Sequence, residues 1–215
     1  YAVHFNFDGT SWVENTYLTP NESTFWDWVG CSVNCRSGYD IIGSFGDDLT
    51  GYENGAIYVY QNPNEYSLIH PNETAPYDYL GWSITAYKDQ LVFGAPRNDY
   101  YGSRCGAIYI YEFVNNNLVE KTRVFSSEPQ IDEQFGYSLA LKEDDLFVGA
   151  PFSNFEGISS GKVYLLSYLH SLPVELSSFT YTTSDENINL KWETQTEINN
   201  NGYYLERKYD KESWQ

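Results

Sequence analysis

The sequence predicts an all-β protein in which about three four-stranded blades of a partial β-propeller are followed by part of a β-sandwich. One phrase occurs three times, as VGCSVNCRSGYDIIGSF, GWSITAYKDQLVFGAP and FGYSLALKEDDLFVGAP. Each copy is followed by a polar loop and a short aliphatic and aromatic run, GAIYVY, GAIYIY or GKVYLL. The glycines that open these runs are 51 and then 55 residues apart, at Gly55, Gly106 and Gly161. A period near 50 residues with short strands inside each unit indicates a repeat architecture.

Each unit is predicted to contain a hairpin, a loop and then further strands. In the third copy, SLAL alternates small and large side chains, residues 142–145 form a polar turn, and DLFVGAP continues as the second strand. Pro151 ends the pairing because proline has no N–H to donate. In the preceding unit a turn at 115–117 leads to a fourth strand over 118–125. No unit contains a helical apolar period of useful length, which excludes a helical solenoid.

The charge balance excludes two classes of partner. Lys plus Arg number 12 against 30 for Asp plus Glu, which gives a formal net charge of −18. Binding to nucleic acid or to an anionic membrane through a basic face is therefore not expected. No apolar run approaches the roughly 18 residues needed to span a bilayer, so membrane insertion is not expected either.

The repeated phrase resembles the FG-GAP repeat of bacterial secreted proteins and of the integrin α-chain propeller. PheGly is intact at 135–136, and GAP is intact at 94–96 and 149–151 but has become GSF at 43–45. The resemblance implies a secreted or cell-surface propeller without enzymatic activity. It also implies a role in recognition or adhesion, with a protein or polysaccharide as the ligand.

The vocabulary changes after Leu172, where VELSSFTY, NINLKWET and YYLERKY alternate as three short strands and Trp192 is interpreted as a core residue. This stretch looks like the fibronectin-type or immunoglobulin-like module that follows LPVEL in secreted Bacteroidota-type proteins, commonly ahead of a type IX secretion signal. We therefore predict propeller blades over 1–171, beginning within a blade, and the N-terminal part of a β-sandwich over 172–215.

Cation binding is considered because integrin repeats often contain a calcium loop of Asp-x-Asp-x-Asp-Gly type. The matching turns here, YKDQ and KEDD, are too short to wrap an ion with six to eight oxygens. The remaining candidates for a calcium site are Asp47 and Asp48, in the loop after the second strand of the first copy. No other cofactor is expected.

Three cysteines are too few for a disulfide framework or a four-ligand zinc site. Cys31 and Cys35 would lie about 13 Å apart on a straight strand, which is too far for a bridge. A bridge of Cys105 with Cys31 or with Cys35 is the pairing left open. Asn21 and Asn72 begin N-x-Ser/Thr sequences and are candidate glycosylation sites on exposed polar segments.

Catalytic chemistry is not predicted. The GISSG segment at 157–161 matches the G-x-S-x-G nucleophile pattern, which requires a strand-to-helix turn. Here the segment connects two antiparallel strands, so Ser159 is not expected to be a nucleophile. The histidines are scattered, and none stands at a metal-ligand spacing from another.

Two alternatives to surface recognition remain. Closed propellers use four to eight blades, so three blades leave unpaired strand edges through which copies could associate into an extracellular filament or layer. A non-catalytic appendage of a secreted enzyme is the other alternative. Many of the 21 tyrosines lie at loops or strand ends, namely Tyr52, Tyr77, Tyr79, Tyr100 and Tyr101. Such rings suit contacts with proteins or glycans, and packing between blades explains them equally well.

Overall fold

The computed structural model describes residues 1–167 apart from 37, 63–64, 72–73, 116, 144 and 155, together with 176–184 and 187–194. The chain divides into two compact units, Tyr1–Ser167 and Tyr168–Gln215. All elements within the described residues are β-strands. These residues include no helix that is long and apolar enough to cross a lipid bilayer.

The first unit contains four antiparallel sheets, three of which are blades. The two-stranded sheet is formed by β1 (Ala2–Phe7) and β2 (Trp12–Leu18). The first blade is formed by β3 (Ser32–Arg36), β4 (Tyr39–Ser44), β5 (Ala56–Asn62) and β6 (Glu65–Ile69). The second blade is formed by β7 (Ser83–Tyr87), β8 (Gln90–Ala95), β9 (Ala107–Val114) and β10 (Asn117–Val124). The third blade is formed by β11 (Ser138–Lys142), β12 (Asp145–Ala150) and β13 (Lys162–Ser167). The predicted partial β-propeller is confirmed.

The first hairpin of each blade has the short turn that the sequence predicts. In the second blade Ser83 pairs with Gly94 and Tyr87 pairs with Gln90, which leaves two residues in the turn. Lys88, the first of them, has a φ of 51°, and Glu143 has a φ of 54° at the same position of the third blade. A left-handed residue there closes a two-residue turn and fixes the register of the hairpin.

Adjacent blades approach each other through a feature that we call the glycine notch. Two glycines of each blade form the notch, one in the second strand and one just before the third strand: Gly43 and Gly55, Gly94 and Gly106, and Gly149 and Gly161. A Cβ on Gly94 would lie 2.1 Å from the Gly136 carbonyl oxygen of the next blade. The Oγ of Ser83 donates a hydrogen bond of 2.7 Å to the same oxygen. The missing side chain thus allows direct backbone contact between blades.

The filler of each notch is an apolar residue followed by glycine from the next blade. Leu80 pairs with Gly55, and Phe135 pairs with Gly106, as isolated parallel bridges. The N–H of Phe135 donates to the Cys105 carbonyl oxygen at 2.9 Å. Leu80 and Phe135 are 0% and 1% exposed. Full burial of such a side chain stabilises the fold by about 2 kcal/mol, so each filler contributes both apolar and backbone contacts.

The apolar core lies between the flat faces of successive blades. Ile41, Ile57 and Val59 of the first blade belong to one buried cluster with Phe93 and Tyr109 of the second blade. These positions alternate along their strands with residues of the opposite face, as expected for sheets covered on both sides.

In the second unit, β14 (Leu176–Ser184) and β15 (Asn187–Thr194) form an antiparallel hairpin in which Phe179 stands opposite Trp192. The Trp192 side chain is 37% exposed. The third alternating run and the predicted boundary at 171–172 lie outside the described residues. The β-sandwich and that boundary remain predictions.

Candidate functional site

One surface of the first unit contains a continuous series of aromatic side chains, which we call the aromatic row. Its members come from all three blades and their connections: Trp26, Trp28, Phe45, Tyr79, Trp82, Tyr137 and Phe152. Neighbouring ring centroids lie between 4.9 and 6.4 Å apart. Rings at these separations interact favourably with one another and form a single apolar surface.

The repeat itself produces the aromatic row. Trp28 and Tyr79 each stand immediately before an apolar–Gly dipeptide, and Trp82 and Tyr137 each stand immediately after one. Because successive blades are rotated copies, equivalent positions become neighbours in space. Trp82 and Tyr137, 55 residues apart in sequence, have ring centroids 5.1 Å apart.

Phe45 joins the parts of the row that belong to the first and second blades. It occupies the last position of GSF, where the other two copies have Pro96 and Pro151. Its ring is stacked on Trp28 at 5.8 Å and lies 4.9 Å from Trp82. The departure from GAP in the first copy therefore adds an aromatic ring to the surface.

The backbone that presents these rings has an unusual conformation. The φ angles of Trp26, Trp28, Tyr77 and Tyr79 lie between 58° and 75°. For bulky residues this left-handed region costs about 1 kcal/mol or more at each position. A Cβ on Gly46 would lie 2.3 Å from the Trp26 carbonyl oxygen, so the loop is tightly held against the blade. Backbone strain of this kind is concentrated at functional surfaces.

The aromatic row is accessible and has a polar margin. Trp26, Trp28 and Phe152 are 78%, 56% and 42% exposed. The Arg97 guanidinium lies 4.3 Å from the centroid of the half-buried Tyr79 ring. The hydroxyl of Tyr79 donates to a Glu53 carboxylate oxygen at 2.9 Å. The site thus combines exposed ring faces with hydrogen-bonding groups, which is the composition of a binding surface.

Buried carboxylates lie beneath the row, and the sequence analysis missed them. Asp27, Asp78 and Glu133 each stand two residues before an apolar–Gly dipeptide and are 3%, 0% and 0% exposed. Asp78 accepts 2.8 Å hydrogen bonds from the Ala75 N–H and from Asn98 Nδ2. Burial raises the pKa of Asp78 to about 6. An acidic residue at a constant distance before each dipeptide was the sequence signal that could have identified this set.

The FG-GAP repeat family model matches the chain over residues 64–111 and 119–166. These two segments are FG-GAP repeats. Each match runs from the last strand of one blade through the third strand of the next, and the two intact GAP tripeptides lie within them. The copy that contains GSF precedes both matches. No curated protein matches the chain.

The predicted cation candidates, Asp47 and Asp48, do not converge in the structure. Asp47 is 1% exposed and accepts a 2.5 Å hydrogen bond from the hydroxyl of Tyr58, a tyrosine of the first GAIYVY run. Asp48 points to solvent. Burial lowers the pKa of the neighbouring His70, and the Asp47 carboxylate opposes that shift. Within the described residues no group of three or more His, Cys, Asp or Glu side chains is arranged to hold a metal ion.

The predicted disulfide of Cys105 with Cys31 or Cys35 is not formed, and all three cysteines are free. The Sγ of Cys31 donates to the Gly81 carbonyl oxygen at 3.2 Å, at the contact between the first and second blades. Cys105 is buried before β9, on the far side of its own blade in the chain order. Burial raises the pKa of both the Cys31 and the Cys105 thiols.

The other candidate residues lie away from the aromatic row. The exposed Asn21 donates its backbone N–H to the Tyr66 hydroxyl at 3.0 Å, and its glycosylation remains a prediction. Asn72 lies outside the described residues. Ser159 lies in the exposed loop between the antiparallel β12 and β13, as predicted.

Proposed function

We propose that this chain is a non-enzymatic extracellular or cell-surface recognition module that binds a protein or polysaccharide through the aromatic row. FG-GAP propellers often serve extracellular recognition, which supports the general role. The aromatic row is the observation that supports the site. Exposed apolar surface is costly at about 25 cal/mol per Å², and monomeric proteins rarely expose large contiguous patches without a binding role.

The chemistry of the surface indicates the kind of ligand. Flat rings pack against the apolar faces of sugar rings or against apolar side chains, while Arg97 and Glu53 supply hydrogen bonds at the margin. The net charge of −18 disfavours polyanions, because the protein field repels them. We therefore expect a neutral polysaccharide or a protein surface that is neutral or basic. The second unit then serves as a sandwich-type spacer in a secreted, type IX-exported adhesion protein.

Replacement of Trp26 by Ala is expected to weaken ligand binding at least tenfold. Trp26 is 78% exposed, so its removal deletes ring surface without opening a core cavity. A screen of neutral polysaccharides and extracellular matrix proteins identifies the ligand, and titration of tryptophan fluorescence then measures the affinity of each variant. Calorimetric melting should show that the Trp26→Ala variant retains its fold.

The matched control for this experiment is Trp12→Ala. Trp12 is 71% exposed on β2 and lies outside the aromatic row. Its replacement should leave the affinity unchanged. Equal losses in the two variants, or a folded protein that binds nothing in the screen, would contradict the proposal.

A second candidate function is a structural subunit of an extracellular filament or layer. It is favoured by β13, which has an unpaired edge among the described strands. Light scattering over a range of concentrations tests it, because a monomeric mass throughout excludes self-assembly.

A further inference from the structure

The glycine notch of the third blade differs from the other two because it is open. A Cβ on Gly55 would lie 2.0 Å from the Leu80 carbonyl oxygen, and one on Gly106 would lie 2.1 Å from that of Phe135. At Gly161 the nearest atom is the Pro151 carbonyl oxygen of the same blade, at 3.3 Å. Gly149, Ser138 and Gly161 line a depression of about 410 Å³ at this position.

The flat face next to this notch is apolar and exposed. Phe147, Val163 and Leu165 of the third blade are 43%, 68% and 55% exposed. The residues at the same register positions of the second blade are 0%, 0% and 3% exposed, namely Val92, Ile108 and Ile110. The next blade covers these residues in the second blade, whereas no described element covers the third.

We propose that the outer face of the third blade docks a partner polypeptide that presents an FG-GAP-type hairpin preceded by an apolar–Gly–X–Ser segment. The two occupied notches define the contacts. The glycine carbonyl of the partner accepts a hydrogen bond from Ser138 Oγ, as that of Gly81 accepts one from Ser32 Oγ at 2.6 Å. The apolar residue pairs with Gly161, and the hairpin covers Phe147, Val163 and Leu165.

The chain's own segments of this type are already engaged, which identifies the occupant as a different polypeptide. The segments LGWS and FGYS, from Leu80 and Phe135, fill the first and second notches. In the remaining segment, VGCS, Gly30 lies against Tyr1, with a would-be Cβ 3.2 Å from the Tyr1 carbonyl oxygen. Each of the three is held against its own chain, so the docked segment comes from a partner with the same repeat chemistry.

Glycine in the partner segment determines specificity. Gly81 and Gly136 have φ values of 86° and 91°, and a Cβ on either would lie 2.6 Å from a backbone oxygen of the preceding blade. Any other residue at this position is both strained and blocked by backbone. The docking site therefore discriminates strongly against replacement of this glycine.

A synthetic peptide with the sequence of Tyr79–Ala95 tests the proposal against the full chain. Isothermal titration should show binding, and hydrogen exchange should slow in β12 and β13. The same peptide with Gly81→Ala should bind at least tenfold more weakly. On the protein, Val163→Lys should weaken binding at least tenfold, because it places a charge on the docking face. The control Val119→Lys, at a 42% exposed position on β10, should have no effect.

Three results would overturn the proposal. The first is no binding of the peptide at millimolar concentration to a folded protein. The second is binding that is insensitive to Gly81→Ala or to Val163→Lys. The third is a concentration-dependent dimer that Val163→Lys abolishes and the peptide does not displace, because it would identify a second copy as the occupant. None of these results depends on the ligand of the aromatic row.

Discussion

Replacement of Gly94 by Ala is expected to lower the free energy of unfolding of the first unit by about 3 kcal/mol, because overpacking at a rigid contact has this magnitude. The new Cβ would lie 2.1 Å from the Gly136 carbonyl oxygen and 2.2 Å from Ser83 Oγ. The second contact can relax by rotation of the serine, but the first involves the backbone of the next blade. Separation of the blades would also lengthen the hydrogen bond from Ser83 to Gly136. Urea denaturation monitored by tryptophan fluorescence measures the change.

Gly149→Ala provides the matched control for this substitution. Gly149 occupies the same position of the third blade, where the only close atom is Ser138 Oγ at 2.2 Å. A rotatable side chain can move away, so the expected loss is smaller, about 1 kcal/mol. Similar losses in the two variants would show that the contact between blades is not the cause of the destabilisation.

The repeating hairpins could be predicted from sequence because their signals are local. Alternation along SLAL, the polar turn at 142–145 and the glycine before each third strand all lie within one unit. The prediction that Pro151 ends a strand is confirmed, because β12 stops at Ala150. The same local pattern also gave the fourth strand of the second blade, β10.

The aromatic row could not be predicted in this way because its contacts join residues from different repeats. The stacked pair of Trp28 and Phe45 depends on the loop geometry before β3. The contact between Trp82 and Tyr137 depends on how one blade is placed against the next. The sequence interpretation of the loop tyrosines therefore left ligand contact and blade packing as equal alternatives. The structure shows that some rings do both, since Tyr79 is half-buried between neighbours and its hydroxyl bonds to Glu53.

Composition misled the interpretation of acidic residues. A net charge of −18 led us to expect solvated carboxylates throughout. Asp27, Asp47, Asp78 and Glu133 are instead at most 3% exposed. A buried carboxylate requires hydrogen-bond donors from the backbone or from other residues, and these partners cannot be identified before the blades are assembled. The result is a chain whose acidic residues serve both its surface and its interior.

Asp78 gives the stability of the first unit a pH dependence that its removal should abolish. Burial, the largest cause, raises the pKa of Asp78 from 3.8 to about 6, with opposition from the hydrogen bonds of Ala75 and Asn98. A raised folded-state pKa means that the folded protein retains the proton longer than the unfolded chain. The contribution of Asp78 is therefore fully present below pH 3.8 and is lost as the pH rises through about 6.

In Asp78→Asn the buried group can no longer ionise, so this loss should disappear. At pH 4 the two proteins should have nearly equal free energies of unfolding, since Asn resembles the protonated acid in shape. At pH 8 the Asn variant should be the more stable by about 2 kcal/mol, the order expected for a pKa shift of this size. Denaturant unfolding from pH 4 to pH 8 measures the difference, with Asp48→Asn at an exposed position as the control that keeps the wild-type pH profile. A difference between Asp78→Asn and wild type that is constant with pH would mean that Asp78 is ionised throughout and that donors within the blade contact fully compensate its burial.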